Sequence, residues 1–334
     1  MRGLGVSILA VLSSAVLAVP MRHDARRRAE AAGWVQKLLA GEVVRATSRV
    51  TYLGEQAFAA DALVDALERN SAPLIFIAQG LMLLGVKEGE RGLVKLSRDG
   101  DPAIRLLAAQ GLGRIQSRRA DVVLPLLRDA QPAVRREAAR ALGGMRDPRH
   151  GRVLFDVAQA EADLTTRAIM LEAVGSAGDK RQGDRLVPFL RSASESAQWA
   201  AARALCLLEN PKGLRFANEH LKSPHEAQRR LAVDLLEGVS LKRIEPLLRA
   251  RLDDTAAPVA AAAARVLARA GDRQALAWLV RAVDTASFES RPVFANELEK
   301  LGLSDAERQK AREHDVPLAP LKPKEPEPKE PRRR

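Results

Sequence analysis

Asp129-Ala130-Gln131-Pro132-Ala133-Val134-Arg135-Arg136-Glu137-Ala138-Ala139-Arg140-Ala141-Leu142-Gly143-Gly144 is the stretch from which the fold can be read. Val134, Ala138, Ala141 and Leu142 recur at the three- and four-residue spacing that gathers apolar side chains on one helical face. Pro132 stands where such a helix would begin, and its missing N–H costs little there because first-turn donors have no intrahelical partner. Small residues along the stripe let a neighbouring helix approach closely.

The same stripe returns along the chain. Taking Gly80, Gly111, Ala141, Ala173, Ala204, Leu235 and Val266 as equivalent, the steps are 31, 30, 32, 31, 31 and 31 residues. A fixed period of this size marks stacked structural repeats. A shorter apolar stripe precedes each anchor, as in Leu93, Val94 and Leu96, then Val123, Leu124 and Leu127, then Ile244, Leu247 and Leu248. Gly, Asp or Pro breaks separate the stripes, so each period is a pair of short helices. One such hairpin cannot bury both faces, and its stability must come from its neighbours.

Asp129 to Arg135 followed by Ala138 to Gly143, and the parallel stretch Asp99 to Gly113, resemble the HEAT-like repeats of the bilin-lyase family, whose units run D-x-x-P-x-V-R into an AA-x-AL-G core. The resemblance implies an all-α fold, an α-solenoid of about seven HEAT-like hairpins. The expected organisation is a signal peptide over 1–18, an N-terminal cap over 19–54, repeats over 55–283, a C-terminal helical cap over 284–315 and a disordered Pro/Lys/Glu/Arg tail over 316–334.

Composition agrees with that class. The 334 residues are 46% hydrophobic but only 3% aromatic, which favours close helix packing over sheet. The net charge of +12, from 54 basic and 42 acidic residues, suits anionic partners. Leu4–Val19 is an uncharged run after Arg2 that ends in small residues, the pattern of a secretory leader. Export, periplasmic or secreted, is therefore expected. The alternative is a membrane anchor with a cytoplasmic solenoid, because Arg22, Arg26, Arg27 and Arg28 outweigh the positive charge before the run. The tail carries six basic and three acidic residues among closely spaced prolines and could touch an anionic surface.

Arg105, Arg135, Arg167 and Arg229 recur early in the second helices beside Asp99, Asp129, Glu161 and Asp254. The expected role is a structural ladder (Asp99, Arg105, Asp129, Arg135, Arg167, Arg229) joining successive turns; a phosphate-binding stripe is the competing reading. Resemblance to deoxyhypusine hydroxylase would imply a di-iron site built from His-Glu pairs, but the one pair here, His225-Glu226, precedes its helix and Arg136 stands where a ligand would be. Resemblance to HEAT-like alkylpurine DNA glycosylases would imply Trp residues along a basic groove, and only Trp199 falls on a second helix. No catalytic residue, cofactor or metal is expected, and nucleic acid is disfavoured. The functional expectation is a monomeric, non-enzymatic scaffold that binds a protein or peptide on the concave, second-helix face, with Arg136, Arg140, Trp199, Arg203 and Arg230 as contact positions. A HEAT-like lyase or oxidoreductase and a nucleic-acid binder are the alternatives.

Overall fold

The computed structural model describes residues 25–313, so the leader and tail expected at the two ends lie outside the described residues. Those described are helical or in short connections, with no strand among them. The chain divides into two compact units, Met1–Arg146 and Asp147–Arg334.

The first unit is a run of helical hairpins. Helix α1 spans 25–39 and is followed by α2 (Val43–Leu53), α3 (Gln56–Glu68), α4 (Leu74–Leu84), α5 (Glu90–Leu96), α6 (Pro102–Arg114), α7 (Ala120–Leu126) and α8 (Pro132–Gly144). The even-numbered members are the second helices and stack on one another, α2 on α4, α4 on α6 and α6 on α8. The anchors Gly80, Gly111 and Ala141 all lie on this inner stack and are buried. Leu112 and Leu142, at 1% and 0% exposure, fill the seams between hairpins.

The second unit continues the pattern with α9 (Gly151–Ala160), α10 (Leu164–Ala177), α11 (Gly183–Leu186), α12 (Glu195–Leu207), α13 (Pro211–His220), α14 (Glu226–Leu235), α15 (Leu241–Leu248), α16 (Ala257–Arg269), α17 (Arg273–Thr285), α18 (Arg291–Glu299) and α19 (Asp305–Arg312). α10 packs on α12, α12 on α14, α14 on α16 and α16 on α18. Hairpins extend past the seven anchors at both ends: α2 packs against α3 and α4 as a second helix does, and α17 pairs with α18. Their stripes are short, which is why periodicity alone left them as caps. Proline shortens one first helix: Val187–Arg191 is 3₁₀, because Pro188 has no N–H to continue the α-helical ladder.

Local chemistry sets the boundaries. Asp101 accepts a hydrogen bond from the Ala103 N–H at 2.8 Å and caps α6 ahead of Pro102. Asp163 does the same for α10 through the Thr166 N–H at 2.8 Å. The closing turn after a second helix adopts left-handed backbone at Gly85, Gln116, Arg146, Gly178, Glu209 and Gly271. With Gly238 after α14, these recur about once per repeat and redirect the chain into the next hairpin. The tightest seam lies between α10 and α12, where a Cβ on Gly175 would sit 2.4 Å from the Ala204 Cα. Glycine at 175 is what permits that approach.

Candidate functional site

The arginines of the early second helices each fasten two things. Arg105 Nη1 donates to the Asp99 and Gly100 carbonyls at 2.8 and 2.9 Å, closing its own turn. Its Nε and Nη2 reach forward to both carboxylate oxygens of Asp129, at 2.7 and 2.9 Å. Asp129 in turn accepts from the Gln131 N–H at 2.9 Å, so one carboxylate caps a turn and ends a bidentate bridge. The Arg105 guanidinium holds the Asp129 carboxyl below its ordinary value of 3.8. Arg229 repeats the arrangement, donating to the Ser223 and Pro224 carbonyls at 3.0 Å and to Asp254 at 2.9 and 2.8 Å.

Arg135 binds the Asp129 carbonyl at 2.8 Å and Arg167 the Glu161 carbonyl at 2.8 Å from the same position. Asp99 takes the Asp101 N–H at 2.8 Å. At the breaks in the series, Gln198 Nε2 donates to the Leu190 carbonyl at 2.8 Å and Ala260 offers only a methyl group. These arginines spend their donors inside the fold, which leaves little of the row for a phosphate backbone.

A second polar row lies one residue before each anchor and had not been singled out from the sequence. It reads Gln79, Gln110, Arg140, Glu172, Arg203, Asp234 and Arg265, with Glu297 one further period on. In the second unit its members interlock. Arg203 Nη1 donates to the carbonyls of Asp234, Leu235 and Glu237 at 2.7, 3.1 and 2.7 Å, meeting the electronegative end of α14. Arg265, only 3% exposed on α16, contacts Glu297 at 2.6 Å, Asp234 at 2.9 Å and Glu237 at 2.9 Å. Arg230 joins the cluster through Asp234 at 3.2 Å, Glu297 at 3.0 Å and the Pro258 carbonyl at 3.0 Å. Lys300 reaches Glu297 at 2.7 Å.

Burial raises the Glu297 carboxyl, and Lys300, Arg230 and Arg265 together outweigh it, so the group sits below its ordinary 4.5. The signal for this row was the alternation of sign, Arg203, Asp234, Arg265 and Glu297, at the repeat period. Two expected contact positions change meaning as a result: Arg203 and Arg230 are structural ties, because Arg203 meets the end of α14, and Arg230 holds Asp234 on its own helix, the Pro258 carbonyl of α16 and Glu297 of α18.

Trp199, half-buried on α12, packs edge-on against Phe216 and His220 at 5.4 and 4.9 Å between ring centroids, and its indole N–H reaches Glu195 at 3.3 Å. His220 stacks on Phe216 at 4.0 Å. The cluster is chiefly packing between α12 and α13. Cys206 is fully buried, and burial pushes its thiol up to about 12, so it remains a protonated, inert hydrophobe. His225 and Glu226 are exposed at the start of α14. No group of three or more His, Cys, Asp or Glu is placed to hold a metal among the described residues.

The inner stack of the first unit differs. Gln79 on α4 and Gln110 on α6 are half-buried, yet their amides have no protein partner among the described residues. Beside Gln110 lies an open concavity of about 210 Å³ lined by Ala109, Gly113, Arg114, Glu137, Arg140 and Ala141. Its floor is made of small side chains and its rim carries two guanidiniums. Arg140 leans on Glu137 within its own helix, Arg136 is half-buried one turn earlier, and Arg114 is exposed.

Residues 90–175 match the family model described as HEAT repeats. The hairpins over those residues are therefore HEAT-type repeats. Among solved structures, one similar to this chain is the complex of CpcE and CpcF of phycocyanin lyase from Nostoc sp. PCC7120. That match is 19% identical and covers 68% of this chain and 89% of the other, with a TM-score of 0.46. An engineered protein is 18% identical over 85% of this chain and 92% of its own, with a TM-score of 0.41. No curated protein matches.

Proposed function

We propose that this HEAT-type array is a non-enzymatic scaffold that holds another protein on the second-helix face of its first unit. The observation that supports the reading is the unspent polar row there. In the second unit the same register is filled by ion pairs and helix-end ties, whereas Gln79 and Gln110 present free amides, Gln110 beside a concavity rimmed by Arg114 and Arg140.

An amide side chain both donates and accepts, so it matches a peptide group of a partner's main chain. Packed helices stand ~8–10 Å apart and an extended chain advances ~3.3 Å per residue. Gln79 and Gln110, on neighbouring second helices, would therefore meet peptide groups about three residues apart, with Arg114 and Arg140 available to a flanking carboxylate.

Photo-crosslinking tests the placement. A crosslinkable residue at Gln110 or Arg140 should give an adduct with one protein, and the same residue at Lys95, exposed on the first helix α5, should give none. Gln79→Ala with Gln110→Ala should weaken the adduct at least tenfold while leaving the melting transition in place. Equal adducts from both faces, or none from either, would remove the proposal.

A further inference from the structure

The first hairpin carries a surface that neither the repeat architecture nor the scaffold role accounts for. On α2, Val43, Ala46, Thr47 and Val50 face inward, while Val44 and Tyr52 on the opposite side are 70% and 78% exposed. Basic and aromatic groups interleave around them. Lys37 Nζ stands 4.1 Å over the Trp34 ring, Arg45 lies 5.7 Å from it, and Arg49 lies 4.9 Å from the Tyr52 ring. Residues 25–53 hold six basic and two acidic residues. The acids are Glu30, paired with Arg49 at 2.7 Å, and Glu42, which lies 3.7 Å from Arg45. Arg26, Arg27 and Arg28 at the start of α1 are exposed.

Exposed aliphatic and aromatic side chains among surplus Lys and Arg are the chemistry that settles at the headgroup level of a bilayer. The sequence before α1 supplies the second argument. Five residues separate the uncharged run Leu4–Val19 from α1, and the six Cα–Cα steps across them span at most about 20 Å. A run held in an apolar layer would therefore keep this hairpin within reach of the headgroups. Arg22, Arg26, Arg27 and Arg28 bias that side toward the leaflet richest in anionic lipid.

We infer that the α1–α2 hairpin lies on an anionic membrane surface, with Val44 and Tyr52 entering the headgroup layer and Lys37, Arg45 and Arg49 meeting lipid phosphates. This extends beyond the scaffold role, whose Gln110 and Arg140 lie on α6 and α8 outside the seated surface, while Gln79 borders that surface beside Val44 and Arg45. A tethered array of this kind would present its binding face at a fixed height above the bilayer.

The full chain, with the apolar run intact, is the material for the test. Val44→Cys carries an environment-sensitive fluorophore, and Cys206 stays unlabelled because its thiol is buried and protonated. The labelled chain is reconstituted into vesicles of phosphatidylcholine alone or with phosphatidylglycerol. A blue-shifted emission in the anionic vesicles only, reversed at ~1 M salt where the screening length is ~3 Å, is expected.

Each basic residue near such a surface contributes about fivefold. Arg45→Gln with Arg49→Gln should therefore lower the ratio of seated to free patch about 30-fold. Equal emission in neutral and anionic vesicles, no shift in either, or a shift present before vesicles are added would overturn the inference. The last result would mean that another part of the chain covers the patch.

Discussion

Replacing Arg265 with Met tests whether the buried charge cluster holds the second unit together. Met fills most of the volume and removes the guanidinium that contacts Glu297, Asp234 and Glu237 at 2.6 to 2.9 Å. Stranding a buried charge costs about 3–5 kcal/mol, and two facts reduce that here. Glu297, its side chain 3% exposed, keeps Arg230 and Lys300 at 3.0 and 2.7 Å, while Asp234 and Glu237, at 39% and 24%, can rehydrate. The expected loss is about 2–3 kcal/mol.

At ~2–4 °C per kcal/mol for a unit of this size, the melting transition should fall by about 4–12 °C. Chemical denaturation followed by far-UV circular dichroism reads the difference. Adding Glu297→Leu should return about 1 kcal/mol of it, because the buried carboxylate that has lost one of its three cations is then gone and the remaining two, Arg230 and Lys300, reach solvent. Arg119→Met, which breaks only an exposed pair with Asp121, should leave the transition where it is. A cost below about 0.5 kcal/mol for Arg265→Met, or a double variant no better than the sum of the singles, would refute the reasoning.

Four further outcomes are expected. Arg105→Gln should cost about 2 kcal/mol by leaving Asp129 without its bidentate donor, and a denaturation midpoint equal to wild type would contradict the ladder. Gly175→Ala sets helix propensity, about 1 kcal/mol in favour of Ala, against a Cβ placed 2.4 Å from the Ala204 backbone. Overpacking of about 1–3 kcal/mol or more should win, and a stabilised variant would show that the seam can open. Gln116→Gly relieves left-handed backbone at φ 50° and should stabilise by a few tenths of a kcal/mol after the added chain entropy; destabilisation would contradict it.

The fourth concerns pH. Asp129 and Glu297 both have folded values below their ordinary 3.8 and 4.5, so their stabilisation is complete above those values and is lost as pH falls through the lowered ones. The melting temperature should stay level from neutrality to about pH 5 and drop below about pH 4. The drop should be shallower in the Arg265→Met background, and a steeper one would reverse the sign of the argument.

Much of the architecture was legible because its causes are local or periodic. The 31-residue step reports where one helix face must be small and apolar, and Ala141, Ala173 and Ala204 lie on that face. The Arg105–Asp129 bridge spans 24 residues yet could be anticipated, since both partners recur in register. Arg203 and Arg230 were harder. On their own helices they resemble surface cations, and what occupies them is a helix end or an acid one or more repeats away. Reading the sign of each position against its counterpart in the next repeat would have found the cluster. Gly175 was not legible at all, because the need for glycine comes from the backbone of α12 rather than from α10 itself. The free amides of Gln79 and Gln110 became notable only once the same register was seen to be occupied elsewhere.

The alternation Arg203, Asp234, Arg265, Glu297 constrains how the second unit can change in length. Duplicating one repeat there would set two like charges side by side on adjacent inner helices, and deleting one would do the same. Adding or removing two repeats restores the order of signs. Growth by gene duplication in this part of the chain is therefore favoured in steps of two hairpins, and a variant with one inserted repeat would need a compensating charge reversal before it folded as firmly as its parent.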